Sequence, residues 1–390
     1  MKGDFLMYKR LAAEIDLDAV DFNIKSILKR IDGRAQVIGT IKADGYGHGA
    51  MEVAEVLMEN GVNMFSVAAI DEAISLRKKG LKAPILLLGL SPEEFDGELM
   101  EYDIIPAVSS LEQARGISKA AEKAGKKAAV HIKIDTGMGR IGFVPSSKAI
   151  DEIIEISKLP NIEIGGAFTH FCTSDEENKD FTYQQRQKFV NTVSAVEERG
   201  VKIPLKHASA SAGIIDFDDM FFNAVRPGII LYGYYPSNFV KKERMPLKPV
   251  MSLKTYAMYV KEIEKGDSVG YGRTYIADEK RRIATIPAGY ADGVSRLLSN
   301  RGYVLINGKR APIRGRVCMD QLMADVTGID VKPWDEAVIL GRQGNEEITA
   351  DEIAGLMGTI SYEVLCLISK RVPRVYIKGG QVVKEINYII

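Results

Sequence analysis

Cysteine is scarce. Cys172, Cys318 and Cys366 are three in 390 residues, odd in number and widely spaced. That pattern excludes a disulfide framework and the paired spacings of a zinc site, and it suits a reducing compartment. Long apolar runs are missing too: the longest, such as Pro84 to Leu90, fall far short of a bilayer span. The first ten residues mix charges with single apolar side chains and lack the continuous apolar core of a secretory signal. Net charge is absent, with 52 basic residues against 52 acidic ones, so nothing favours nucleic acid, an acidic partner or a membrane surface. What remains is a globular, cytoplasmic chain, 46% hydrophobic and 27% charged, long enough for two domains.

The chain is organised around Val37-Ile38-Gly39-Thr40-Ile41-Lys42, followed by Ala43-Asp44-Gly45-Tyr46-Gly47-His48-Gly49. A β-branched run ending in lysine and then glycines reads as a buried strand whose last residue carries chemistry. A lysine held partly desolvated has a lowered pKa and forms imines with aldehydes. For one lysine alone, a solvated strand cap is the plainer reading. From here apolar strands recur at Val37–Lys42, Met64–Ala69, Pro84–Leu88, Ile104–Val108, Ala129–Asp135, Ile162–His170, Leu205–Ser209 and Ala224–Leu231. Amphipathic helical segments separate them, clearest at Met51–Asn60, Ile70–Lys79, Leu111–Ala124, Lys148–Lys158 and Tyr183–Arg199. Eight such alternations predict an α/β fold, an N-terminal (β/α)8 TIM barrel over residues 15–244. The competing doubly wound sheet has fewer strands, and no Gly-x-Gly-x-x-Gly follows the first strand.

Alternation in the fifth strand puts Val130, Ile132 and Ile134 on one face and His131, Lys133 and Asp135 on the other. The polar set then points into the barrel, with Lys133 and Asp135 partly compensating each other. The strand ends, where barrels of this kind place their active sites, carry Lys42, Arg140, His170, Ser211 and Arg226. Singly, His170 reads as a satisfied core histidine and Arg226 as a rim ion pair; together they read as a site. Ser211 and the amides around Gly228 suggest a phosphate cup. A phosphate, an imine-forming lysine, a histidine beside a ring and an arginine describe pyridoxal 5'-phosphate.

After Pro236 the pattern changes. Strand alternation from about residue 245, an Asn307-Gly308 hairpin signal and glycine-punctuated short runs predict a C-terminal mainly-β domain over 245–390. Thr349-Ala350-Asp351-Glu352 reads as a capping box opening a helix to about Met357. Gly270-Tyr271-Gly272, Ala288-Gly289-Tyr290-Ala291-Asp292-Gly293, Cys318-Met319-Asp320 and Ser361-Tyr362-Glu363 are more than a scaffold requires.

With these motifs in order from Glu14 to Tyr376, the chain resembles the bacterial alanine racemase family, fold-type III pyridoxal phosphate enzymes. The resemblance implies a barrel and a β domain joined by an N-terminal strand within residues 1–14, and a homodimer whose active sites are shared between subunits. It implies that Lys42 holds the cofactor and is one acid/base group, and that Tyr271 of the partner subunit is the second. Tyr46, Ser211, Gly228, Ile229 and Tyr362 match phosphate-cup positions; His170 lies beside the ring and Arg226 faces the pyridine nitrogen. Arg140 and the partner's Met319 amide match groups around the substrate carboxylate, and Lys133 matches a lysine often carbamylated in the family. The resemblance further implies D-alanine supply for peptidoglycan.

Two bases on opposite faces are the simplest device for racemisation. An arginine facing the pyridine nitrogen leaves it unprotonated, which favours racemisation over transamination. One departure is visible: Ala210-Ser211 stands where the family commonly has Asn-Ser. Arg273, near Tyr271, is another place where selectivity differs. A racemase for serine or a broader set of amino acids is the near rival, since Tyr290, Tyr362 and the Cys318–Asp320 loop separate a methyl from a hydroxymethyl group only weakly. A decarboxylase of the same fold type and a non-catalytic pyridoxal phosphate carrier are the others; the carrier lacks a β domain.

Overall fold

The computed structural model describes residues 9–389, so the first eight positions of the expected joining strand and Ile390 lie outside the described residues. By contact the described residues divide into two units, one of 9–19, 46–48 and 249–389, the other of 20–45 and 49–248.

The second of these is the barrel. The N-terminal strand β1 (Ala12–Asp16) precedes it in sequence, and eight parallel strands then close on themselves: β2 (Gln36–Thr40), β3 (Met64–Val67), β4 (Ile85–Leu87), β5 (Ile104–Val108), β6 (Ala128–Lys133), β7 (Ile162–Phe168), β8 (Leu205–His207) and β9 (Ala224–Val225). Helices at Ala50–Glu59, Ile70–Lys78, Asp96–Glu101, Leu111–Ala124, Ser147–Ile156, Asp180–Glu198 and Ser211–Asp216 make the crossovers. Alternate residues of β2, β3, β4 and β9, namely Ile38, Met64, Leu86 and Ala224, form one buried apolar cluster. Two residues further along β2 and β3 the interior turns polar, where Ser66 Oγ donates to Thr40 Oγ1 at 3.2 Å. The inward polar set of β6 is present, with His131 and Lys133 each 2% exposed. A bulge between Val130 and His131 shifts the β6–β7 register. Gly166 opposite makes room for the ring, since a Cβ there would stand 2.8 Å from His131 Cε1.

Most strands stop one or two residues short of the expected ends, and at two places the chain does something different there. The eighth barrel strand stops at Val225, and Ile229–Tyr232 is a 3-10 turn. Lys42 lies past the end of β2, opening a turn in which Ala43, Asp44, Gly45 and Tyr46 all have φ between +51 and +63°. Left-handed backbone is disfavoured for residues with a Cβ, so this turn needs outside support.

The other unit is mainly β. Its strands are β10 (Met251–Tyr256), β11 (Tyr259–Ile263), β12 (Ser268–Val269), β13 (Tyr275–Ile276), β14 (Arg281–Ile286), β15 (Tyr303–Ile306), β16 (Lys309–Pro312), β17 (Leu322–Asp325), β18 (Glu336–Gln343), β19 (Glu346–Ile348), β20 (Arg374–Lys378) and β21 (Gln381–Ile386). Its main sheet runs β16-β15-β18-β10-β1-β20-β21, so β1 is an internal strand, antiparallel to β10 and parallel to β20. Asn307 and Gly308, at φ +50 and +71°, make the two-residue hairpin turn between β15 and β16. Thr349 caps the helix Ala350–Met357 by accepting from the Glu352 amide. The capping box is only half made, because the Glu352 carboxylate turns to Arg310 at 2.5 Å.

One carboxyl in the barrel unit is out of place. Asp96 is 5% exposed, and its Oδ2 stands 2.8 Å from where a Cβ on Gly116 would be. Burial first, then Glu93 and Glu94, lift its pKa to about 6 from the ordinary 3.8. The folded chain thus binds this proton more tightly than the unfolded one, so its contribution is complete below the unfolded value and is lost as pH rises through about 6. Asp96→Asn should exceed wild type in stability by about 2 kcal/mol at neutral pH, with the gap closing near the unfolded carboxyl value, as read by urea titrations at both pH values.

Candidate active site

The ends of the barrel strands bring together most of the expected site residues of that unit. Arg226 is the hub. It is 4% exposed; its Nη1 donates to His207 Nδ1 at 2.6 Å, and its Nη2 donates to the carbonyls of Thr169 and Ala208 at 2.7 and 3.0 Å. His170 Nδ1 lies 3.5 Å from the same Nη2. A guanidinium only donates, so His207 Nδ1 must accept and its Nε2 carries the hydrogen. That nitrogen is 2.9 Å from His131 Nδ1, which therefore accepts in turn. The result is a one-way chain Arg226→His207→His131 with both rings neutral. Phe168 stacks on His207 with an interplanar angle of 3°, and the Arg226 guanidinium lies over the Phe168 ring as well, 5.4 Å from its centroid.

Charge follows from this geometry. Burial and Arg226 pull His131 down to about 4; burial, with Arg226 and His131, takes His207 well below its ordinary value. His170 falls to about 3, through burial and then Arg226, Arg140, Lys42 and Lys133. Four cations, at or just past the ends of β2, β6 and β9 and in the loop after β6, thus press on one ring. Lys133 is pulled to about 8, chiefly by burial, with Asp135 opposing and Arg226 and Arg140 adding. The expected Lys133–Asp135 compensation is not a direct pair. Lys133 Nζ donates to the Ile134 carbonyl at 2.9 Å, while Asp135 Oδ1 accepts from the amides of Gly137, Met138 and Gly139 at 3.0, 2.9 and 3.1 Å. Asp135 thereby shapes the loop that carries Arg140.

Ser211 begins the helix Ser211–Asp216, and its Oγ accepts from the Gly228 amide at 3.1 Å. That leaves the Ser211 hydrogen to donate elsewhere. Ala210 is the residue before this helix and gives it no side-chain cap, where an asparagine would supply one. Ile229, fully buried, opens the 3-10 turn after Gly228.

In the mainly β unit, Tyr46 is 6% exposed and its ring centroid lies 6.1 Å from that of Tyr362. Arg374 holds the same loop, donating from Nε to the Gly47 carbonyl at 3.0 Å. Tyr271 and Met319 are 72% and 53% exposed. The Met319 loop is tied down: Tyr290 and Ala291 amides donate to the Cys318 and Met319 carbonyls, each at 3.0 Å. Asp292, fully buried, accepts from Arg10 and from the Gly289 amide and lies 3.6 Å from Arg371, which pairs with Asp320 at 2.6 Å.

The barrel residues fit pyridoxal phosphate. Lys42, Lys133, Arg140 and Arg226 face one another's charge with Asp135 engaged by amides, a field that calls for anions such as a phosphate and a carboxylate. Lys42 carries an amine of the kind that could take an aldehyde, and the Ser211 hydroxyl keeps a hydrogen to donate. Motif reading did not find Glu72, which clamps the turn after Lys42, nor Asp292 and Arg374 as the ties of their loops. Glu72 and Asp292 had a local signal, the third position of a helix, whereas Arg374 had none.

The neutral histidines set an acid limit. A histidine with a depressed folded value charges more readily when unfolded, so its contribution is complete above the ordinary 6.5 and is lost as pH falls through the folded value, about 4 for His131. His131, His170 and His207 act together here, and Asp96 opposes them with a single proton. The unfolding free energy from urea titrations should therefore fall steeply between neutral pH and about pH 5, by up to about 1.4 kcal/mol per pH unit for each histidine.

Comparison with known proteins agrees with this architecture. The model of the alanine racemase N-terminal domain matches residues 15–236, and that of the alanine racemase C-terminal domain matches residues 250–376. The chain is 50% identical over 378 residues to the alanine racemase of Clostridium perfringens (strain SM101 / Type A), covering 97% of this chain and 98% of that one. It is 49% identical to that of Clostridium kluyveri over 99% of each. Among solved structures, the alanine racemase of Clostridium difficile 630 superposes with a TM-score of 0.95 at 43% identity, over 99% of this chain and 100% of that one. The Bacillus anthracis alanine racemase with bound L-Ala-P superposes with a TM-score of 0.92 at 37% identity, over 99% of both. A closed eight-stranded barrel, a mainly β unit and full-length identity near one half are thus found together, and the chain belongs to the alanine racemase family of isomerases.

Proposed function

We propose that this racemase interconverts L-alanine and D-alanine with pyridoxal 5'-phosphate, as a homodimer in which each site takes Lys42 from one subunit and Tyr271 from the partner subunit. The observation that carries this reading is the cationic mouth of the barrel, where burial and then Arg226, Arg140, Lys42 and Lys133 keep His170 neutral. Such a field suits a phosphate and an amino-acid carboxylate. When bound, the cofactor draws electrons from the Cα–H bond of the amino acid and makes that proton removable.

The protein's part is placement and proton transfer. Lys42 Nζ takes or returns the proton on one face, and the hydroxyl of the partner's Tyr271 does so on the other. Ser211, with Gly228, Ile229, Tyr46 and Tyr362, binds the phosphate; the Gly228 amide fixes the Ser211 oxygen and so directs its hydrogen outward. Arg226, a guanidinium that offers hydrogen bonds but gives up no proton, would leave the pyridine nitrogen unprotonated. Arg140 and the partner's Met319 amide bind the carboxylate. Lys133, with its pKa near 8, keeps enough neutral amine to add carbon dioxide, giving a carbamate and a released proton. The carbamate is an anion able to pair with Arg140.

Exposure of Tyr271 at 72%, Met319 at 53% and Tyr290 at 44% supports a partner that covers them. Serine is the second substrate to run, because a site built around a methyl group rejects a hydroxymethyl group by only about a hundredfold. We place the enzyme in the cytoplasm, supplying D-alanine for peptidoglycan.

In deuterated water, the pyridoxal phosphate-loaded protein should wash out the α-proton of L-alanine and form D-alanine together. Tyr271→Phe should keep the cofactor but lose racemisation by at least about a hundredfold; near-wild-type turnover would sink the two-base assignment. Shared sites make a further claim. Mixing inactive Lys42→Ala and Tyr271→Phe subunits under exchange should restore about a quarter of wild-type activity, since half the dimers are mixed and each has one intact site. No recovery would place both groups in one subunit.

A further inference from the structure

The turn after Lys42 is the most strained backbone in the barrel unit. Ala43 and Asp44 have φ of +52 and +51°, followed by Gly45 at +63°. Each residue with a Cβ in this region costs roughly 1 to 2 kcal/mol, so the turn persists only where its surroundings hold it. Local bonds supply part of that support. The Gly45 amide donates to the Ile41 carbonyl at 2.9 Å, and Asp44 accepts from Gly49 through its carbonyl and from Ala50 through Oδ1, at 2.8 and 3.0 Å.

None of these contacts touches the peptide that joins Lys42 to Ala43. Glu72 does. It stands third in the helix Ile70–Lys78, and its Oε2 accepts from the amides of Ala68 and Ala69 at 2.8 and 3.1 Å. Those two bonds are ordinary helix capping. Its other oxygen, Oε1, reaches across to the neighbouring strand's loop and accepts a short hydrogen bond from the Ala43 amide. One carboxylate therefore ties the loop after β3 to the peptide immediately following Lys42.

We infer that Glu72 is a positioning residue for Lys42: by holding the Lys42–Ala43 peptide in its left-handed turn, it sets the direction in which the Lys42 side chain leaves the barrel. The chemistry of the group explains why a glutamate stands there. A carboxylate offers two acceptor oxygens to three N–H groups, whereas a glutamine turns an NH2 toward one of them. Aspartate is one methylene too short to cap its own helix and reach Ala43 together. The negative charge also strengthens each bond beyond a neutral one. This inference rests on the reading of Lys42 as the cofactor lysine.

A capping role and a positioning role predict different behaviour. Ala69, the residue before the helix, is exposed and extended with no side-chain cap, so Ala69→Ser restores capping without reaching Ala43. The full-length protein is compared as wild type, Glu72→Gln and Glu72→Gln/Ala69→Ser. The measurements are Tm, kcat and KM for alanine, and the rate at which each apoprotein takes up pyridoxal phosphate onto Lys42, read by borohydride fixation and peptide mass. Glu72→Gln should lower kcat and the uptake rate by at least about tenfold with KM changed little, because a small misdirection of a reacting group is costly. The added serine should return Tm but neither rate. Unchanged rates in Glu72→Gln, or rates that return along with Tm in the double variant, would overturn the inference. If Glu72→Gln does not fold, Glu72→Asp is read in the same way. A wild type that fixes the cofactor elsewhere than Lys42 removes the premise, and that result is told apart from the others because it appears before any variant is made.

Discussion

Arg226 can only donate, and it is buried. Everything along the floor of the barrel mouth follows from that one constraint. Its two terminal nitrogens are spent on His207 and on the carbonyls of Thr169 and Ala208, which fixes the His207 tautomer and then that of His131. A guanidinium with no carboxylate against it charges the whole mouth. Burial first and then this charge keep His170, His207 and His131 neutral, and Arg226 itself is pulled down to about 9 by burial and by Arg140. Accommodation for this chain comes from unremarkable residues: a glycine at 166 that clears the His131 ring, a bulge that re-aims β6, and Phe168 stacked beneath His207. A field of this sign favours anionic ligands.

The second recurring device is the carboxylate or guanidinium that fastens a loop through backbone groups. Glu72 holds amides on two loops of the barrel unit, and Asp135 gathers the three amides that precede Arg140. In the mainly β unit, Arg374 gathers the carbonyls of Ile368, Ser369 and Val372 with that of Gly47, and Asp292 joins Arg10 to the turn that carries Tyr290. Charge-assisted bonds to backbone are stronger than neutral ones and are directional. They let functional groups sit on loops while keeping the precision of the strands beneath.

The barrel, its eight strands and the inward polar face of β6 were legible in the sequence, because periods of two and 3.6 residues are imposed by backbone geometry wherever one face is buried. Lys42, Arg140, His170, Ser211 and Arg226 were legible as strand-end residues for the same reason, and the motifs around Tyr271, Met319 and Tyr362 through resemblance. Less visible was where each strand stops. Lys42 extends an apolar run and so reads as strand, yet four left-handed residues follow it at once; propensity says nothing in favour of such a turn, and only the bonds around it make it stable. Ala224 to Leu231 likewise reads as one apolar run but bends after Val225.

Sequence alone thus determined the order of elements, the residues facing inward and the inventory of reactive groups, since those depend on local periodicity and on side-chain chemistry. Tertiary structure decided the partners. That Lys133 donates to a carbonyl while Asp135 accepts from three backbone amides, that Glu352 leaves its own helix for Arg310, and that Glu72 crosses to the peptide after Lys42 all depend on which chain segments barrel closure and sheet order bring side by side. A hydrogen bond is made over about 3 Å, and the residues that meet at that distance are set by long-range packing that no local pattern encodes.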